Sequence, residues 1–481
     1  MANVFLINAP YTEVYSKVPT AEGLNPPLGL AYIAAYLREN GHEIKILDCE
    51  AFKIGLKDLH KYIPSDIDVL GVGSMSASVN SSNKTIEIVK ERNPDCKAVM
   101  GGSHMSAIPE LTLKSYPKLD YGIMGEAEET MLELVNAIEK EKDTENILGT
   151  ASRAKDGNVR VNPRRSLIED LDKMPYTAYD LLPMKKYSPP AHHTNFDGTV
   201  KLTPFSLFFS SRGCAYNCTY CASKVVWTRK MRFRSAENVL GEIDLLHQDY
   251  GVHCLEIADD IFPIEGPRLH KILDGLIERN YDLKFNCLNR VDLVRKLDTM
   301  KKIRKAGCYL MRFGVESGSE IVLKSMKKYT TKDQIRDAFK MCKEAGIPNS
   351  ASLIIGHPGE TRETFRETLD LMKEVQPTIA HFFIAIPLVG TELYDMAIKD
   401  NLIENPDWEN WVQMPEIPVM RNESLSPHDM LELRKMAYKE FYFRPSYLIQ
   451  KFLSIRNFEQ IKYYLRGARA VVSLLKVKEI A

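Results

Sequence analysis

The sequence predicts an α/β protein made of two βα series followed by a helical C-terminal domain. Short apolar runs alternate with helical patterns twice along the 481 residues, first over residues 3–141 and again over 204–386. This alternation is typical of parallel sheets that carry helices on their faces. The last part of the chain instead mixes aromatic, aliphatic and basic residues in mainly helical patterns. We therefore expect a doubly wound Rossmann-like sheet, a partial (β/α)6 TIM-type barrel and a helical domain, in that order.

The first series predicts a Rossmann-like domain over residues 1–145. Its expected strands are 3–8, 43–47, 68–73, 97–101 and 119–123, and its expected helices are 28–37, 80–92, 106–115 and 126–141. The chain opens directly on the first strand, so we expect no signal peptide. Ligands of such sheets bind outside the carboxyl ends of the strands.

Small residues follow two neighbouring strands at that predicted ligand edge. Ser74 and Ser76 follow one strand, and Gly101, Gly102 and His104 follow the next. Glycines at strand ends let the backbone approach a flat or phosphate-bearing ligand. The pattern therefore predicts a ligand site, and a flavodoxin-like domain used only for interaction is the alternative.

Residues 146–200 are predicted to connect the two series. A β-hairpin is expected over residues 147–165, because Asp156-Gly157-Asn158 is a favourable turn sequence. The rest of the segment is rich in proline and tyrosine, with Ser188-Pro189-Pro190 near its end. That composition is typical of a linker.

The second series predicts a partial barrel over residues 201–395. Its expected strands are 204–211, 253–258, 283–288, 308–315, 349–355 and 379–386. Active sites of such barrels lie on the loops that follow the strands. Polar or glycine-bearing loops follow all six, and their candidate residues are Asp259, Asp260, Arg290, Glu316, Ser317 and Gly356. Packing alone explains this repeated placement poorly, so we predict an active site at this edge.

The loop after the first barrel strand carries Cys214, Cys218 and Cys221, at spacings of four and three residues. Soft thiolates at this density suit an iron–sulfur cluster or zinc better than a hard metal. A structural zinc site normally has a fourth Cys or His at close spacing, and none follows nearby. Three ligands would leave one iron of a [4Fe–4S] cluster open. We predict an iron–sulfur site, with three unrelated core cysteines as the alternative.

Composition argues against several classes of protein. The formal net charge is zero, so no global field draws the chain to nucleic acid, and we expect no nucleic-acid partner. No run reaches the ~18 apolar residues that a transmembrane segment needs. One tight group among the nine cysteines fits a reducing cytoplasm better than a disulfide framework. We therefore predict a cytoplasmic protein, and the exposed iron–sulfur site predicts sensitivity to oxygen.

Residues 396–481 are predicted to form the helical C-terminal domain. Its last segment, 452–477, combines basic residues with tyrosine, leucine and valine. We interpret it as a helix packed on its own protein, with a helix lying on a membrane surface as the alternative.

The cysteine loop after the first strand of a partial barrel resembles the radical S-adenosylmethionine (AdoMet) superfamily. The upstream domain, with its Ser-x-Ser and Gly-Gly loops, resembles a cobalamin-binding domain. Together they resemble the cobalamin-binding radical AdoMet proteins, often called class B methyltransferases, across residues 1–395. One departure is the first loop, where Asn8-Ala9-Pro10-Tyr11 replaces the family's Asp-x-His-x-x-Gly. The resemblance thus implies cobalamin bound without a histidine ligand from that loop.

The resemblance assigns the cluster and AdoMet contacts. Cys214, Cys218 and Cys221 would hold three irons, and the fourth iron would bind the amino and carboxylate groups of AdoMet. The other AdoMet contacts would come from Tyr220 beside the adenine, Asp259 or Asp260 at the amine with Asp259 preferred, Arg290 at the carboxylate, Glu316 and Ser317 at the ribose, and Gly356 along the adenine. For Arg290 and Glu316, simple ion pairs at the rim are the alternative.

The resemblance also assigns the cobalamin contacts. Ser74, Ser76, Gly101, Gly102 and His104 would line this cofactor. We interpret His104 as a residue that hydrogen-bonds within its loop, with axial ligation of the cobalt as the alternative.

The resemblance implies a C-methyltransferase with two AdoMet-dependent steps. Cob(I)alamin takes the methyl group of one AdoMet, and the reduced cluster splits a second into methionine and a 5′-deoxyadenosyl radical. The radical removes hydrogen from an unactivated sp3 carbon, which then takes the methyl group from cobalt. An external electron donor is required. We expect a protein or peptide substrate, such as a residue of methyl-coenzyme M reductase, with a small molecule as the alternative.

Two other activities compete with this prediction. One is a cobalamin radical enzyme that does not methylate, such as an oxidative cyclase. The other is a methylthiotransferase acting on tRNA, which would carry an N-terminal cysteine triad. Only Cys49 and Cys96 lie in that region of the chain, which argues against it.

Overall fold

The computed structural model describes residues 1–11, 23–154, 157–190, 203–412 and 414–475. The strands in these ranges are β1 (Asn3–Asn8), β2 (Glu43–Asp48), β3 (Val69–Gly73), β4 (Lys97–Gly101), β5 (Tyr121–Ile123), β6 (Thr150–Arg153), β7 (Val159–Val161), β8 (Phe205–Phe208), β9 (Ser211–Arg212), β10 (Arg232–Phe233), β11 (Cys254–Ile257), β12 (Lys284–Asn289), β13 (Cys308–Glu316), β14 (Asn349–Ile355) and β15 (Ile379–Ile384).

The α-helices in the same ranges are Leu28–Glu39, Cys49–Phe52, Leu56–Leu59, Val79–Arg92, Ser103–Ala107, Pro109–Ser115, Glu128–Glu139, Ser223–Trp227, Ala236–Gln248, Pro267–Arg279, Leu297–Lys305, Glu320–Ser325, Lys332–Glu344, Arg362–Val375, Glu392–Lys399, Pro427–Tyr442, Pro445–Leu453 and Phe458–Leu475. No helix in the described ranges is long and apolar enough to cross a membrane.

The first sheet has the strand order β2-β1-β3-β4-β5-β6-β7. Its first five strands run parallel, with Val4 opposite Val69 and Val99 opposite Tyr121. Separate apolar clusters pack against its two faces, which is the layering of a doubly wound domain. The α/β class predicted from the sequence is therefore confirmed.

The predicted hairpin belongs to this sheet rather than to the connection. Strand β6 pairs antiparallel with β5, with Gly122 opposite Ala151, and β7 pairs with β6. Part of its turn, including Asp156, lies outside the described residues. The sequence pattern alone did not show which edge the hairpin would join.

The helix predicted over 106–115 is two helices that meet at Ile108. Ile108 has a φ of −136°, and Pro109 begins the second helix. The residue before a proline is disfavoured in the helical region, which explains the break.

The second sheet contains six parallel strands in the order β15-β14-β13-β12-β11-β8. This is the partial barrel that the sequence predicts. The strand predicted over 204–211 ends earlier, at Phe208. The next residues, Ser211 and Arg212, form β9 and pair antiparallel with β10 in a separate ribbon.

The helix Pro427–Tyr442 covers the free edge of the last barrel strand. The Oη atom of Tyr442 accepts a hydrogen bond from Ala380 N at 3.0 Å and donates one to Ala380 O at 2.8 Å. Tyr438 Oη accepts from Phe382 N at 3.5 Å. An uncovered edge strand would invite pairing with another chain, so the helical domain closes the barrel on this side.

Candidate active site

The middle of the cysteine loop is bonded to three other elements. Thr219 donates its amide hydrogen to Met326 O at 3.0 Å, and its carbonyl accepts from Leu393 N at 2.9 Å. Its hydroxyl lies 2.8 Å from Nε2 of His357, on the loop after β14. Burial lowers the pKa of His357 to about 4, so the imidazole is neutral near pH 7. These bonds fix the cysteine loop to the end of the helix Glu320–Ser325, to the helix Glu392–Lys399 and to the loop after β14.

The three cysteine sulfurs are spaced too widely for one small ion. Cys218 is buried, whereas Cys214 and Cys221 are partly exposed. Among the described residues, only His428, Asp429 and Glu432 bring three Cys, His or carboxylate ligand atoms within 4.8 Å of one another, so the three sulfurs do not. A Zn–S bond of about 2.3 Å would hold sulfurs closer together. The donor set therefore fits a multi-iron cluster better than zinc.

Arg290 packs against the cysteine loop and is already engaged. Its Nη1 lies 3.7 Å from Cys218 Sγ, and its guanidinium carbon lies 3.6 Å from the centre of the Tyr216 ring. It also forms an ion pair with Asp292 at 2.9 Å and donates to Lys328 O at 2.8 Å. The structure thus shows the ion-pair alternative for Arg290, with its charge directed at the sulfur of Cys218.

Asp259, the preferred amine ligand, is fully used by the protein. Its Oδ1 accepts from the amides of Ser210 and Ser211 at 2.6 and 3.1 Å, and its Oδ2 accepts from both hydroxyls at 2.6 Å. The side chain is 2% exposed. Asp259 therefore anchors the start of the cysteine loop, and these four hydrogen bonds argue against the predicted contact of Asp259 with AdoMet.

Asp260 is the aspartate that faces the cysteines. Its Oδ2 accepts from Ser223 Oγ at 2.7 Å, and no described residue donates a hydrogen bond to its second oxygen. Burial raises the pKa of Asp260. Its charge in turn helps to raise the pKa values of Cys214 and Cys221, after the larger effect of their own burial. Asp260 is therefore close enough to act on a ligand of the cluster.

Glu316 and Lys328 form a buried pair beneath Tyr220. Lys328 Nζ lies 3.1 Å from Glu316 Oε1 and 3.5 Å from Tyr220 Oη. Glu316 has a φ of +68°, which a non-glycine residue seldom adopts and which is frequent at functional sites. A Cβ on Gly314 would lie 2.3 Å from Glu316 Oε1. The glycine of this predicted ribose motif thus makes room for the carboxylate.

Ser317 and Gly356 both form hydrogen bonds with other residues of the protein. The Ser317 hydroxyl is fully buried, 3.1 Å from Thr368 Oγ1, and accepts from Ser319 N at 3.1 Å. These bonds argue against the predicted contact of Ser317 with the ribose. Gly356 has a φ of +91° and donates its amide hydrogen to Glu360 Oε2 at 2.6 Å.

The rim of the first sheet is an open shelf of glycines. A Cβ placed on Gly73 or Gly101 would meet no atom within 4 Å. Ser74 donates from its amide and its hydroxyl to Gly101 O, at 2.9 and 2.8 Å. Gly102 has a φ of +98°, and a Cβ there would lie 2.4 Å from Ser74 O. The two loops are thus tied together, and the space directly beside Gly73 and Gly101 is open.

His104 is a packed residue of this rim. Its Nδ1 lies 3.1 Å from Ser76 Oγ, and its ring meets that of Trp408 edge-on, with 5.2 Å between centroids. Burial lowers the pKa of His104 to about 4. The imidazole is therefore committed within its loop, as the sequence-based interpretation expected. Ser76 is buried with it.

Buried ion pairs join the two rims. Arg212, two residues before the first cluster cysteine, donates to Glu126 at 2.8 Å and to Glu128 at 2.7 Å. Arg232 reaches Glu126 from the other side at 2.7 Å. Although burial opposes ionisation, the two arginines hold the pKa of Glu126 below its usual range. We call these four residues the interdomain clasp.

Besides Arg232, two other basic residues that follow the cysteine loop also form ion pairs. Arg232 belongs to the clasp, Arg234 pairs with Glu242, and Lys230 pairs with Glu169 at 2.6 Å. Sequence reasoning missed Lys328, Trp408 and the role of Thr219. Lys328 and Trp408 stand in no motif, and each reaches its site from a distant part of the chain. Thr219 lies inside the cysteine motif, at a position where the motif specifies no residue type.

Comparison with known families matches both halves of the chain. The radical SAM superfamily matches residues 208–372. The B12 binding domain matches residues 18–135.

Similar proteins cover nearly the whole chain. An uncharacterized methyltransferase, PH0819 of Pyrococcus horikoshii, is 34% identical over 96% of this chain and 97% of its own length. The anaerobic magnesium-protoporphyrin IX monomethyl ester cyclase of Rubrivivax gelatinosus is 27% identical over 92% of this chain and 78% of its own. The structure of the radical S-adenosylmethionine methyltransferase TsrM from Kitasatospora setae, with cobalamin and a [4Fe–4S] cluster bound, has a TM-score of 0.68 at 20% identity. It covers 89% of this chain and 84% of that one.

Proposed function

Because the chain belongs to the radical SAM superfamily, in the branch with a B12-binding domain, we propose that it methylates an unactivated sp3 carbon. The enzyme class is supported by the relative named a methyltransferase, which matches this chain end to end. The observation that carries the proposal is the interdomain clasp. It joins Arg212, two residues before the first of the three cysteines, to Glu126 and Glu128, which follow strand β5 of the first sheet.

The cofactors are a [4Fe–4S] cluster, AdoMet and cobalamin, as both domain families indicate. We propose Cys214, Cys218 and Cys221 as cluster ligands, and Ser74, Ser76, Gly101 and Gly102 as the cobalamin shelf. The cluster would supply the electron that cleaves AdoMet, and cobalamin would carry the methyl group. The flat shelf fits a large planar ligand, because neither Gly73 nor Gly101 has a neighbour in the way.

The polar residues of the barrel rim would orient AdoMet. We propose Asp260 for the methionine ammonium, because its second oxygen is available for a charge-assisted hydrogen bond. Glu316 would meet the ribose hydroxyls, with Lys328 holding its carboxylate in place. Tyr220, whose pKa burial and Glu316 raise well above the usual range, stays protonated and would pack beside the adenine.

For the substrate, we propose a protein or peptide. The support is limited to organisation: the families matched over residues 18–135 and 208–372 are those that bind the cofactors, and PH0819 matches this chain over 97% of its own length. A labelled-methyl experiment tests this choice. Cells with and without the gene are grown on methyl-deuterated methionine, and peptides are searched for a labelled carbon-bound methyl group. A labelled small molecule with no labelled peptide would contradict it.

A second candidate is an oxidative cyclase without methyl transfer. It is favoured by the magnesium-protoporphyrin ester cyclase relative, which aligns over 92% of this chain. The two activities differ in one product, because only methylation turns AdoMet into S-adenosylhomocysteine.

Product analysis separates the two candidates. Protein reconstituted anaerobically with iron, sulfide and hydroxocobalamin is incubated with titanium(III) citrate and AdoMet, and products are quantified by mass spectrometry. The methyltransferase is expected to form both 5′-deoxyadenosine and S-adenosylhomocysteine. Formation of 5′-deoxyadenosine alone, with cobalamin bound, would overturn methylation in favour of the cyclase.

A further inference from the structure

The last two helices carry an unusual concentration of exposed apolar side chains. Of twenty-one large apolar residues exposed in the described part of the chain, nine lie between residues 443 and 472. Phe452 and Leu453 are 74% and 75% exposed, and Phe458 is 67% exposed. We call the following set the C-terminal apolar face: Leu448, Ile449, Phe452, Leu453, Phe458, Ile461 and Leu465. Single exposed apolar residues are ordinary, but such a concentration marks an interaction surface.

The same segment is strongly basic. Residues 444–475 contain six Lys or Arg and one Glu, a formal charge of +5, whereas the whole chain has a net charge of zero. The rest of the chain therefore carries a charge of −5. The apolar face thus lies in a positively charged segment, whereas the rest of the chain is negatively charged.

The exposure does not come from a helix left without internal contacts. Lys451 Nζ lies 5.1 Å from the Tyr447 ring and 5.8 Å from the Tyr464 ring. Ser454 Oγ lies 2.9 Å from Tyr464 Oη, and Tyr447 Oη donates to Thr378 O at 3.3 Å. Aromatic and polar contacts therefore join the two helices to each other and to the barrel, while Phe452 and Leu453 remain outside these contacts.

We propose that the C-terminal apolar face docks on the surface of an anionic lipid bilayer. Phenylalanine and leucine side chains would enter the boundary between headgroups and acyl chains, and the exposed Arg456 and Arg469 would meet the anionic headgroups. A second copy of this chain fits less well, because it would bring two segments of charge +5 together. Nucleic acid would use the charge but leave the aliphatic side chains in water.

The docking surface begins at the far end of the barrel from the cysteine loop. Thr378, which holds Tyr447, directly precedes β15. The cysteine loop and Asp260 follow the opposite, carboxyl ends of the strands. At this attachment, the bilayer would lie away from the rim that holds the cluster. The proposal concerns where the enzyme resides and is independent of the methylation chemistry.

Vesicle flotation of the full chain tests this surface. Vesicles of phosphatidylcholine alone are compared with vesicles in which a third of the lipid is phosphatidylglycerol. The wild type is expected to float with the anionic vesicles and to be released as salt rises. The double variant Phe452→Ser/Leu453→Ser should bind at least about tenfold more weakly, because two apolar anchors are lost.

A matched control is Ile321→Ser/Ile398→Ser, which removes two comparably exposed apolar residues from other helices. It should float like the wild type, and circular dichroism should show that both variants are folded. Failure of the wild type to float overturns the proposal. The proposal is also overturned if the wild type self-associates without binding vesicles and the Phe452/Leu453 variant no longer self-associates. That result would identify a second copy of the chain as the occupant. Retarded migration with single-stranded RNA but no flotation would overturn it in favour of nucleic acid.

Discussion

The rims of the two sheets are built from opposite kinds of residues. At the barrel rim, charged side chains are already paired, as in Arg290 with Asp292 and Glu316 with Lys328. At the rim of the first sheet, the prominent features are glycines and the neutral, packed His104. Directed charges suit a small polar ligand, whereas an open shelf suits a large flat one. The difference indicates recognition by charge at one rim and by shape at the other.

The largest effect is expected when one proposed cluster ligand is removed. It should impair AdoMet cleavage at the barrel rim and leave the rim of the first sheet unaffected. Cys214→Ala is expected to lower 5′-deoxyadenosine formation by at least about a thousandfold, because two thiolates cannot hold the cluster at full occupancy. Iron analysis and product quantification measure this loss. Cobalamin binding, followed by its absorption after gel filtration, should be unchanged. Loss of both cofactors together would show that the rims are not independent.

The two adjacent aspartates should behave differently when each is neutralised. Asp260→Asn is expected to raise the KM for AdoMet about tenfold, because a charge-assisted hydrogen bond to the ammonium is lost. Asp259→Asn should instead lower stability by about 2 kcal/mol, since its carboxylate accepts four hydrogen bonds. Thermal melts and AdoMet cleavage kinetics distinguish them. If instead Asp259→Asn raised the KM and Asp260→Asn lowered stability, Asp259 would be the residue that binds the AdoMet amine.

A bulky side chain at position 101 should affect only cobalamin binding at the rim of the first sheet. Gly101→Leu places a side chain where no atom lies within 4 Å of the new Cβ, so the fold should accept it. Cobalamin affinity should fall about tenfold or more, because the side chain occupies the surface proposed for the flat ligand. Equilibrium dialysis measures the affinity, and iron content is the control. An unchanged affinity would remove Gly101 from the site.

The smallest effect concerns pH and the buried Glu360. Burial raises the pKa of Glu360 to about 8, so the folded state holds a proton that the unfolded state has released. Its stabilising effect is present below the unfolded pKa and is lost as pH rises through the folded pKa.

Relative to Glu360→Gln, the wild type should lose on the order of 2 kcal/mol between about pH 6 and about pH 9. Chemical denaturation at both pH values measures the difference. Equal pH dependence of the two proteins would show that this carboxyl ionises freely in the fold.

Much of this organisation could be predicted from the sequence because its signals are local. The six barrel strands were each expected within a few residues of their observed bounds, and the cysteine loop was placed after the first of them. Alternating apolar positions within a strand define its register. The carboxyl ends of parallel strands then share one edge, which gathers the candidates without any knowledge of contacts.

The direction of individual side chains beyond a strand end could not be predicted. The alternation of side chains between the two faces of a strand stops where the strand's hydrogen-bond pairing stops. Beyond that point, the local sequence does not show that Asp259 and Asp260 point in different directions, or that Ser317 points towards Thr368. The partners Lys328 and Trp408 are brought in by tertiary packing. The hairpin β6–β7 likewise carries its own turn signal, but no signal for the strand it will join.

The interdomain clasp has a consequence for the order in which this enzyme is completed. Arg212 takes its carboxylate partners from 86 and 84 residues earlier in the chain. During synthesis the N-terminal domain emerges and folds first, so those partners are waiting when the cysteine loop leaves the ribosome. A barrel produced without them would bury Arg212 and Arg232 with no counter-charge, at a cost of about 3–5 kcal/mol. The N-terminal domain therefore supplies the counter-charges that the two buried arginines of the barrel domain need.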